Sequence, residues 1–541
     1  MTSQEFKENA ITLIDDLKAV CASYGLGNDG NEFKIITQVF LYKFLNDKFA
    51  HEVKRIEPKL AKSQSWEDDL RQMPADEYEL LLMQLGASTA RLKPEHFLST
   101  LWGKQNDQDF AATLDATLLD IAKFNTDIFS VKTNDGQKIV LFDAVTQFVA
   151  SKRDDFAKAI INKLIPFSFE RIFAEKFDFY ATLFEYLIKD YNKDSGGKYA
   201  EYYTPHTVAK IMAACLVQGT VKNASCYDPA SGSGTLLMNL AHAIGEDRCT
   251  LYTQDVSQKS SSLLRLNLIL NNLVHSIPNV IQGDTILEPY HKADKGGGLR
   301  KFDFIVSNPP FKLDFSDYRN QLDSKGNQER FFAGIPNVPS KDKDKMAIYL
   351  LFIQHVIHTL APKGRAAIVV PTGFITAQSG IEKGIREHLV KNKMLGGVVS
   401  MPSNIFATTG TNVSILFIDA SNDGNVILID ASNLGEKIKE GKNQKTVLRP
   451  DEEQQIIETF NAKKAVDDFS VVVSYDEIEA KSYSLSAGQY FDVKIDYIEM
   501  TTKEFESELA SRTLRLRNLF AESKQLASNV EEQLATLRHA Y

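Results

Sequence analysis

The amino-acid sequence predicts an α/β protein with an open, mostly parallel sheet, a helical region before the sheet and a long helix after it. Two observations predict the sheet. Short runs rich in Val, Ile, Phe and Tyr recur after about residue 190, and helical patterns separate the earlier runs. Polar residues also end several of these runs, at the position where such sheets bind their ligands.

Residues 1–165 are predicted to form an N-terminal all-helical domain. Apolar residues recur every three to four positions in the segments 11–25, 36–56, 111–125 and 160–177, which is typical of helices with one buried face. Strand-like runs are scarce, and no catalytic constellation is visible. We therefore interpret this region as a helical packing or docking domain.

The catalytic domain is predicted to span residues 166–475 and to carry the sheet. Helical patterns follow the early strands, as expected for parallel connections. The eight candidate strands are 225–229, 250–255, 278–284, 302–308, 365–371, 395–402, 413–419 and 425–430.

Residues 476–541 are predicted to form a helical arm. Its apolar residues are separated by three, four or seven positions, the pattern of an amphipathic helix or a coiled coil. The arm could fold back on its own domain, but docking to a partner subunit is favoured, because little of the chain remains to cover it. The residues that form the pattern are Phe505, Leu509, Leu516, Leu519, Leu526, Val530 and Leu537.

Composition excludes several classes of protein. No apolar run reaches about 18 residues, and the start of the chain lacks the features of a secretory signal, so we expect a cytoplasmic protein with no membrane association. The four cysteines are scattered without zinc-binding spacing, so no metal is expected. A net charge of −9 argues against tight nucleic-acid binding by the chain alone, but not against binding through a partner or a local basic patch.

The first chemical motif, CYDPASGSG (226–234), joins a predicted strand to a predicted helix. Gly232 and Gly234 allow a sharp turn and a close approach of the backbone to a ligand. The motif is neither a P-loop nor a dinucleotide fingerprint. Carboxylates end three successive strands, namely Asp228, Asp255 and Asp284. Each alone is more often a cap or turn former. Together they describe an adenosine site without a phosphate, with Asp255 accepting from the ribose and Asp284 from the adenine amine, and S-adenosylmethionine (SAM) fits that site.

The second chemical motif is FDFIVSNPPF (302–311), a strand that ends in Asn308, Pro309, Pro310 and Phe311. An exocyclic adenine amine is flat and a poor nucleophile. The Asn308 side-chain oxygen and the Pro309 carbonyl could accept its two hydrogens and direct its lone pair at a methyl donor. Phe311 could stack on a flipped base. The alternative is an ordinary turn after a strand.

These motifs make the sequence resemble the modification (M) subunits of type I restriction–modification systems, a family of DNA adenine-N6 methyltransferases. The segments 196–216, 363–374 and 400–418 add to the resemblance, which covers about residues 165–430. It implies a SAM-dependent methyltransferase (Rossmann-like) fold. It also implies cofactor contacts from Glu201, Tyr202, Tyr203, Thr204, Pro205, His206, Asp228, Ser231, Gly232, Ser233, Gly234 and Asp255.

The resemblance further implies that the protein methylates the N6 amine of a flipped adenine in double-stranded DNA to protect host DNA. The implied partners are a specificity (S) subunit, a second M subunit and a restriction (R) subunit. Three alternatives stay open: a methyltransferase of a protein glutamine, a methyltransferase of an RNA adenine, and a non-catalytic assembly scaffold. Two segments are predicted to touch DNA: the basic loop 292–301 and the long polar segment 312–345. The second segment is expected to be a structureless run that either orders as a lid over the flipped base or is a solvated insertion.

Overall fold

The computed structural model describes residues 3–27, 30–170, 173, 204–295, 297–406, 412–440, 443–491 and 500–538. The chain divides into two compact units, Met1–Tyr490 and Phe491–Tyr541. Helices and strands are numbered below in chain order over the described residues.

The N-terminal region is helical, as predicted. Apolar faces of its helices share one core, in which the Phe169 ring meets the rings of Phe40 and Phe44 edge-on at 5.1 and 5.3 Å. The pattern 160–177 is helical only in part among the described residues, because the helix ends at Leu164, two residues before Pro166. The helices are α1 Ser3–Ser23, α2 Gly30–Ile56, α3 Pro58–Lys62, α4 Trp66–Gln72, α5 Ala75–Gln84, α6 Leu98–Gly103, α7 Phe110–Phe124, α8 Thr126–Phe129 and α9 Arg153–Leu164.

An eleven-stranded sheet forms the centre of the first unit, in the order β13-β10-β8-β9-β7-β6-β3-β4-β5-β1-β2. All eight predicted strands are present. The bounds are β1 Val131–Thr133, β2 Lys138–Ile139, β3 Ala224–Asp228, β4 Cys249–Asp255, β5 Val280–Gln282, β6 Phe302–Ser307, β7 Leu360–Pro371, β8 Leu395–Ser400, β9 Val413–Asp419, β10 Val426–Asp430 and β13 Ser470–Val473.

The sheet is mostly parallel. Strands β5, β4, β3, β6 and β7 run in one direction, and β8 and β10 run the same way. Strand β9 runs antiparallel between β7 and β8. The carboxyl ends of the parallel strands therefore share one side of the sheet, which we call the carboxyl edge; the opposite side is the amino edge.

The hairpin β1–β2 was not predicted. It comes from the otherwise helical N-terminal region and extends the sheet, with β1 parallel to β5 and β2 antiparallel to β1. Strands of two and three residues are too short to show an alternating pattern. Arg265 fastens this junction, because its buried guanidinium donates to the carbonyls of Phe129, Ile139, Val140 and Leu141.

Helices cover the sheet between its strands, as the alternating pattern predicts. They are α10 His206–Leu216, α11 Thr235–Ile244, α12 Gln258–Leu270, α13 Arg319–Leu322, α14 Tyr349–Thr359, α15 Gly373–Thr376, α16 Gly380–Lys391, α17 Pro450–Ala462 and α18 Tyr475–Ala480. Strands β11 Glu436–Glu440 and β12 Asn443–Val447 form a separate antiparallel hairpin.

Residues 475–490, the start of the predicted arm, pack within the first unit. The Leu485 amide donates to the Ile375 carbonyl at 2.9 Å, and Ile478 and Leu485 are buried. The second unit contains α19, Thr502–Arg538, which is 37 residues long and confirms the predicted helix of the arm. No helix among the described residues is long and apolar enough to cross a membrane.

The segment 312–345, which we call the insertion, is folded, so the expectation of a structureless run is wrong. Its Phe315, Leu322 and Phe331 are buried in a small core with Ile286 and Leu351. Arg330 ties the insertion to the sheet, because its guanidinium donates to the carbonyls of Ile286 and Thr285, each at 2.7 Å. Apolar residues that are spread singly among charged ones gave no periodic signal of this core.

Candidate active site

The three predicted carboxylates meet at the carboxyl edge. Asp228 and Asp255 end the neighbouring strands β3 and β4, and Asp284 follows β5, the next strand in the sheet. Asn308 follows β6, which lies on the other side of β3. The sheet therefore brings together residues that are up to 80 positions apart, as the order of the predicted strands indicated.

The glycine loop is held by hydrogen bonds and by packing. Gly232, at φ +50°, donates its amide N–H to Asp255 Oδ2 at 2.8 Å. The carbonyl of Ser233 accepts from Asn267 Nδ2 at 2.8 Å. Gly234 has a φ of +87°, and a Cβ there would lie 2.3 Å from Leu264 Cδ1. A side chain at position 234 would therefore collide with helix α12, whereas the approach of this loop to a ligand stays a prediction.

Asp255 and Asp284 also bind the local backbone. Asp255 Oδ1 accepts from the Ser257 amide at 2.8 Å, so both of its oxygens already have one donor. Asp284 Oδ1 accepts from the amides of Ile286 and Leu287 at 2.8 and 3.0 Å. Asp255 and Asp284 therefore stabilise local turns, as the alternative interpretation of single aspartates predicted. A carboxylate offers about four acceptor positions, so each group can also accept from a bound ligand.

Asp228 is the most deeply buried of the three carboxylates, at 1% exposure. Burial, with a smaller contribution from the charge of Asp255, raises the pKa of Asp228 to about 7. Its Oδ1 accepts from the Ala230 amide at 3.0 Å. Near it in the loop, the buried Ser231 hydroxyl has no hydrogen-bond partner among the described residues. A costly buried carboxylate beside an unsatisfied hydroxyl fits the polar amino-acid end of SAM.

Asn308 is held by a residue from a distant part of the sequence. Its Nδ2 donates to Thr204 Oγ1 at 3.1 Å, and Thr204 is buried. Within the described part of the chain, Asn308 Oδ1 makes no hydrogen bond, so the oxygen remains available as an acceptor. Pro309 is buried and Pro310 is exposed. The rings of the two prolines restrict the backbone directly after Asn308.

Phe311 is half-buried. It meets the Tyr349 ring edge-on at 6.1 Å, and Tyr349 meets Phe374 in the same way at 6.3 Å. The row of three aromatic rings comes from the turn after β6, from α14 and from α15. The contact with Tyr349 therefore supports the Phe311 ring from the direction of α14.

The segment before α10 is described only from Thr204 onward. Glu201, Tyr202 and Tyr203 lie outside the described residues. Pro205 precedes the helix, and His206 begins it, with its Nδ1 3.4 Å from Asn239 Nδ2 of α11. Thr204, one of the residues predicted to contact the cofactor, also contacts Asn308.

The two segments predicted to touch DNA have different positions. Tyr318 of the insertion lies beside Asp284. Burial raises the pKa of Tyr318, and the charge of Asp284 makes a smaller contribution in the same direction. The basic loop 292–301 leads into the amino end of β6. At about 3.3 Å per residue, Lys301 lies roughly 23 Å along the strand from Asn308. The loop therefore lies toward the amino edge, away from Asn308, and its contact with DNA stays a prediction.

Sequence reasoning missed three supporting residues: Thr204 in its contact with Asn308, Asn267 under the glycine loop, and Tyr349 beside Phe311. Asn267 and Tyr349 lie within apolar helical patterns, where a polar or aromatic residue looks like ordinary core. Thr204 lies 104 positions before Asn308, and nothing in the local sequence signals a contact over that separation.

The strand order, the three carboxylates at neighbouring strand ends and the Asn-Pro-Pro-Phe turn define a SAM-dependent methyltransferase. The family described as N-6 DNA Methylase matches residues 175–496. The chain belongs to this family, and it is an adenine-specific DNA methyltransferase.

Relatives and solved structures agree with this assignment. The chain is 25% identical over 526 residues to the type I restriction enzyme MpnII methylase subunit of Mycoplasma pneumoniae, covering 93% of both chains. It is 26% identical over 399 residues to the MjaIX methylase subunit of Methanocaldococcus jannaschii, covering 70% of this chain and 66% of that one. The fold is similar to that of a type I restriction–modification methyltransferase subunit from Streptococcus thermophilus, with a TM-score of 0.68 and 22% identity, covering 91% of this chain and 100% of that one.

Proposed function

We propose that the chain is the modification subunit of a type I restriction–modification complex. In this role it methylates adenine N6 in host DNA, in the cytoplasm, and so protects that DNA from cleavage. The likeness to the M. pneumoniae methylase subunit extends over 93% of both chains and thus includes the helical region as well as the catalytic sheet. The observation that carries the catalytic proposal is the hydrogen bond from Asn308 Nδ2 to Thr204 Oγ1.

The cofactor site is assigned to the carboxyl edge over β3, β4 and β5. When bound, SAM supplies an electrophilic methyl group on a positively charged sulfur. Asp228 and Ser231 hold its amino-acid end, beside the turn of Gly232, Ser233 and Gly234. Asp255 accepts from the ribose hydroxyls, and Asp284 accepts from the adenine amine. The family resemblance assigns further cofactor contacts to Glu201, Tyr202, Tyr203, Thr204, Pro205 and His206.

Asn308 prepares the substrate amine for attack. The amide nitrogen of Asn308 is bound to Thr204, so the oxygen is presented to the substrate. That oxygen and the Pro309 carbonyl accept the two N6 hydrogens and draw the nitrogen toward a tetrahedral shape. The rigid Pro309–Pro310 turn holds both acceptors before the base arrives, which lowers the reorganisation cost of the transition state.

Phe311 receives the flipped base. An N6 amine inside a duplex is out of reach, so the adenine must leave the stack. The Phe311 ring packs against Tyr349 at an interplanar angle of 71°, and Phe311 remains partly exposed, so the ring is proposed to stack on the base. The four described cysteines are all buried, and the amine route needs no covalent cysteine adduct.

Partner subunits are expected to supply sequence recognition. We assign helix α19 to docking on an S subunit, with a second M subunit and an R subunit as further members of the complex. The apolar side chains along α19 are more than half exposed within the described chain, including Phe505, Leu509 and Leu526. A helix of 37 residues spans about 55 Å, long enough to contact another subunit over many turns.

The test is transfer of a labelled methyl group from SAM to duplex DNA that lacks adenine methylation, by the full chain purified with its co-expressed subunits. We expect label in N6-methyladenine with the wild type and none with Asn308→Ala, while both bind SAM. Asn392→Ala, the same substitution at an exposed asparagine before the amino end of β8, serves as the matched control. Label found in protein or RNA, but not in DNA, would instead support the alternative substrates, and SAM binding without any transfer would support a scaffold.

A further inference from the structure

The hairpin β11–β12, residues 436–447, belongs to neither the cofactor site nor the sheet. It carries four lysines and two glutamates, so its net charge is positive in a chain whose net charge is −9. Lys437 and Lys439 are exposed and lie on one face of the hairpin, since alternate residues of a strand point to the same side. We call this element the basic hairpin.

The basic hairpin leaves the sheet at the same edge as Asn308. Strand β10 ends at Asp430, which pairs with Ser400 at the carboxyl end of β8. Four strand-to-strand steps, through β7, β9 and β8, separate β6 from β10. At about 4.8 Å per step, the carboxyl end of β10 lies roughly 19 Å from the end of β6, and five residues lead from there into the hairpin. The cofactor site lies over β3, β4 and β5, on the opposite side of β6.

Gly435 and Thr446, at the two ends of the hairpin, are anchored by packing and hydrogen bonds, although the outer face of the hairpin is exposed. Thr446 is 3% exposed, and it bonds to the loop after β8, with its Oγ1 donating to the Ser403 carbonyl at 2.6 Å and its amide to the Asn404 carbonyl at 3.1 Å. Gly435, at φ +87°, packs so closely that a Cβ there would lie 2.6 Å from Thr446 Cγ2. Its amide donates to Glu452 Oε1 at 3.1 Å. The two ends of the hairpin are thus anchored near the carboxyl ends of β8 and β10, and Lys437 and Lys439 extend from it into solvent.

We propose that the basic hairpin binds the phosphate backbone of the duplex that flanks the flipped adenine, with Lys437 and Lys439 as the contacts. This inference rests on the proposed function, because it needs duplex DNA at Asn308. Duplex DNA carries one phosphate charge per about 1.7 Å of helix axis, so phosphates are available wherever the hairpin meets the duplex. A separation of about 19 Å is close to half a helical turn, which places the contact about five base pairs from the flipped base. Contacts of this kind position the protein without reading the sequence.

The test compares two double variants of the full chain, each purified with its co-expressed subunits. Lys437→Gln/Lys439→Gln removes the proposed contacts. Lys222→Gln/Lys363→Gln removes the same charge from two exposed lysines at the amino edge. Binding to a 30-base-pair duplex is measured from about 50 to 200 mM salt. Each lost phosphate contact should reduce the slope of log affinity against log salt by about 0.9. We therefore expect a reduction of about 1.8 for the hairpin variant and none for the control.

Cross-linking gives an independent measurement. A photoreactive residue at position 439 should cross-link to the duplex, whereas the same residue at position 363 should not. The SAM affinity of both double variants should equal that of the wild type. An unchanged salt slope in the hairpin variant, or equal slopes in both double variants, would overturn the hairpin inference. The proposed function would still stand in that case if the wild type methylated DNA. If the wild type transferred no methyl group to DNA, both would fail.

Discussion

The side-chain nitrogen of Asn308 donates to Thr204 Oγ1 at 3.1 Å, across 104 positions of sequence. An amide has one donor end and one acceptor end of nearly the same size. In this structure the Thr204 hydroxyl accepts from the donor end, so the acceptor end of Asn308 has no hydrogen bond within the described chain. The proposed chemistry requires the acceptor end to be free, so Thr204 acts on the reaction through Asn308.

Thr204→Val keeps the shape of the side chain and removes its hydroxyl. We expect kcat to fall by about 10- to 100-fold, because Asn308 loses the partner that orients it, while the KM for SAM changes little. Thr204→Ser should restore most of the rate. Steady-state kinetics with DNA in excess measures both quantities. A raised KM for SAM with an unchanged kcat would show that Thr204 contacts the cofactor, as the family resemblance implied.

Asp228→Asn tests how much the buried carboxyl group of Asp228 lowers the free energy of unfolding. In the unfolded chain Asp228 ionises near its ordinary pKa of 3.8, whereas in the folded chain it keeps its proton up to a pKa of about 7. Its contribution therefore makes the wild type lose stability as pH rises from about 4 to 7, with the full loss present above 7. Without SAM, the variant should gain stability relative to the wild type over this window, by at most about 4 kcal/mol at pH 8. Urea unfolding at pH 4, 6 and 8 measures the difference.

The same variant should bind SAM at least about tenfold more weakly at pH 8, because the ionised carboxylate is the partner proposed for the cofactor's ammonium group. Calorimetric titration gives the affinity. Equal stability differences at pH 4 and pH 8 would contradict the raised pKa of Asp228, and unchanged SAM binding would remove Asp228 from the proposed site.

Gly234→Ala should destabilise the protein by about 2–4 kcal/mol. The residue has a φ of +87°, which disfavours any side chain, and its Cβ would collide with Leu264 Cδ1. Leu264→Ala removes the colliding atom, so the double variant should be more stable than the sum of the single effects indicates. Denaturant unfolding of the four proteins completes this cycle. Additive effects would show that the collision with Leu264 does not limit residue 234.

Arg330→Met should loosen the insertion. The substitution leaves the carbonyls of Thr285 and Ile286 and the Nδ1 atom of His355 without their donor. We expect a loss of about 2–5 kcal/mol and faster amide hydrogen exchange across residues 313–345. Lys325→Met, on an exposed turn of the same insertion, should leave exchange unchanged. Exchange that is already fast in the wild type without DNA would contradict the folded insertion.

The sequence predicted eight of the eleven strands because each contains a short run rich in apolar, β-branched or aromatic residues. The convergence of Asp228, Asp255, Asp284 and Asn308 followed, since successive parallel strands end at one edge. The insertion was predicted wrongly, because Phe315, Leu322 and Phe331 have no regular spacing and are buried only through tertiary contacts. The hairpin β1–β2 likewise exists through its pairing with β5 and has too few residues to show a pattern.

The most direct test of the central claim is modified-base sequencing of genomic DNA from the native host, comparing the wild type with a chromosomal Asn308→Ala strain. We expect N6-methyladenine to disappear from one split recognition motif in the variant strain and to remain in the wild type. This result would establish adenine methylation of DNA and identify the target together. Identical methylation in the two strains, with the chain expressed and able to bind SAM, would contradict the assignment of Asn308 and of DNA as the substrate.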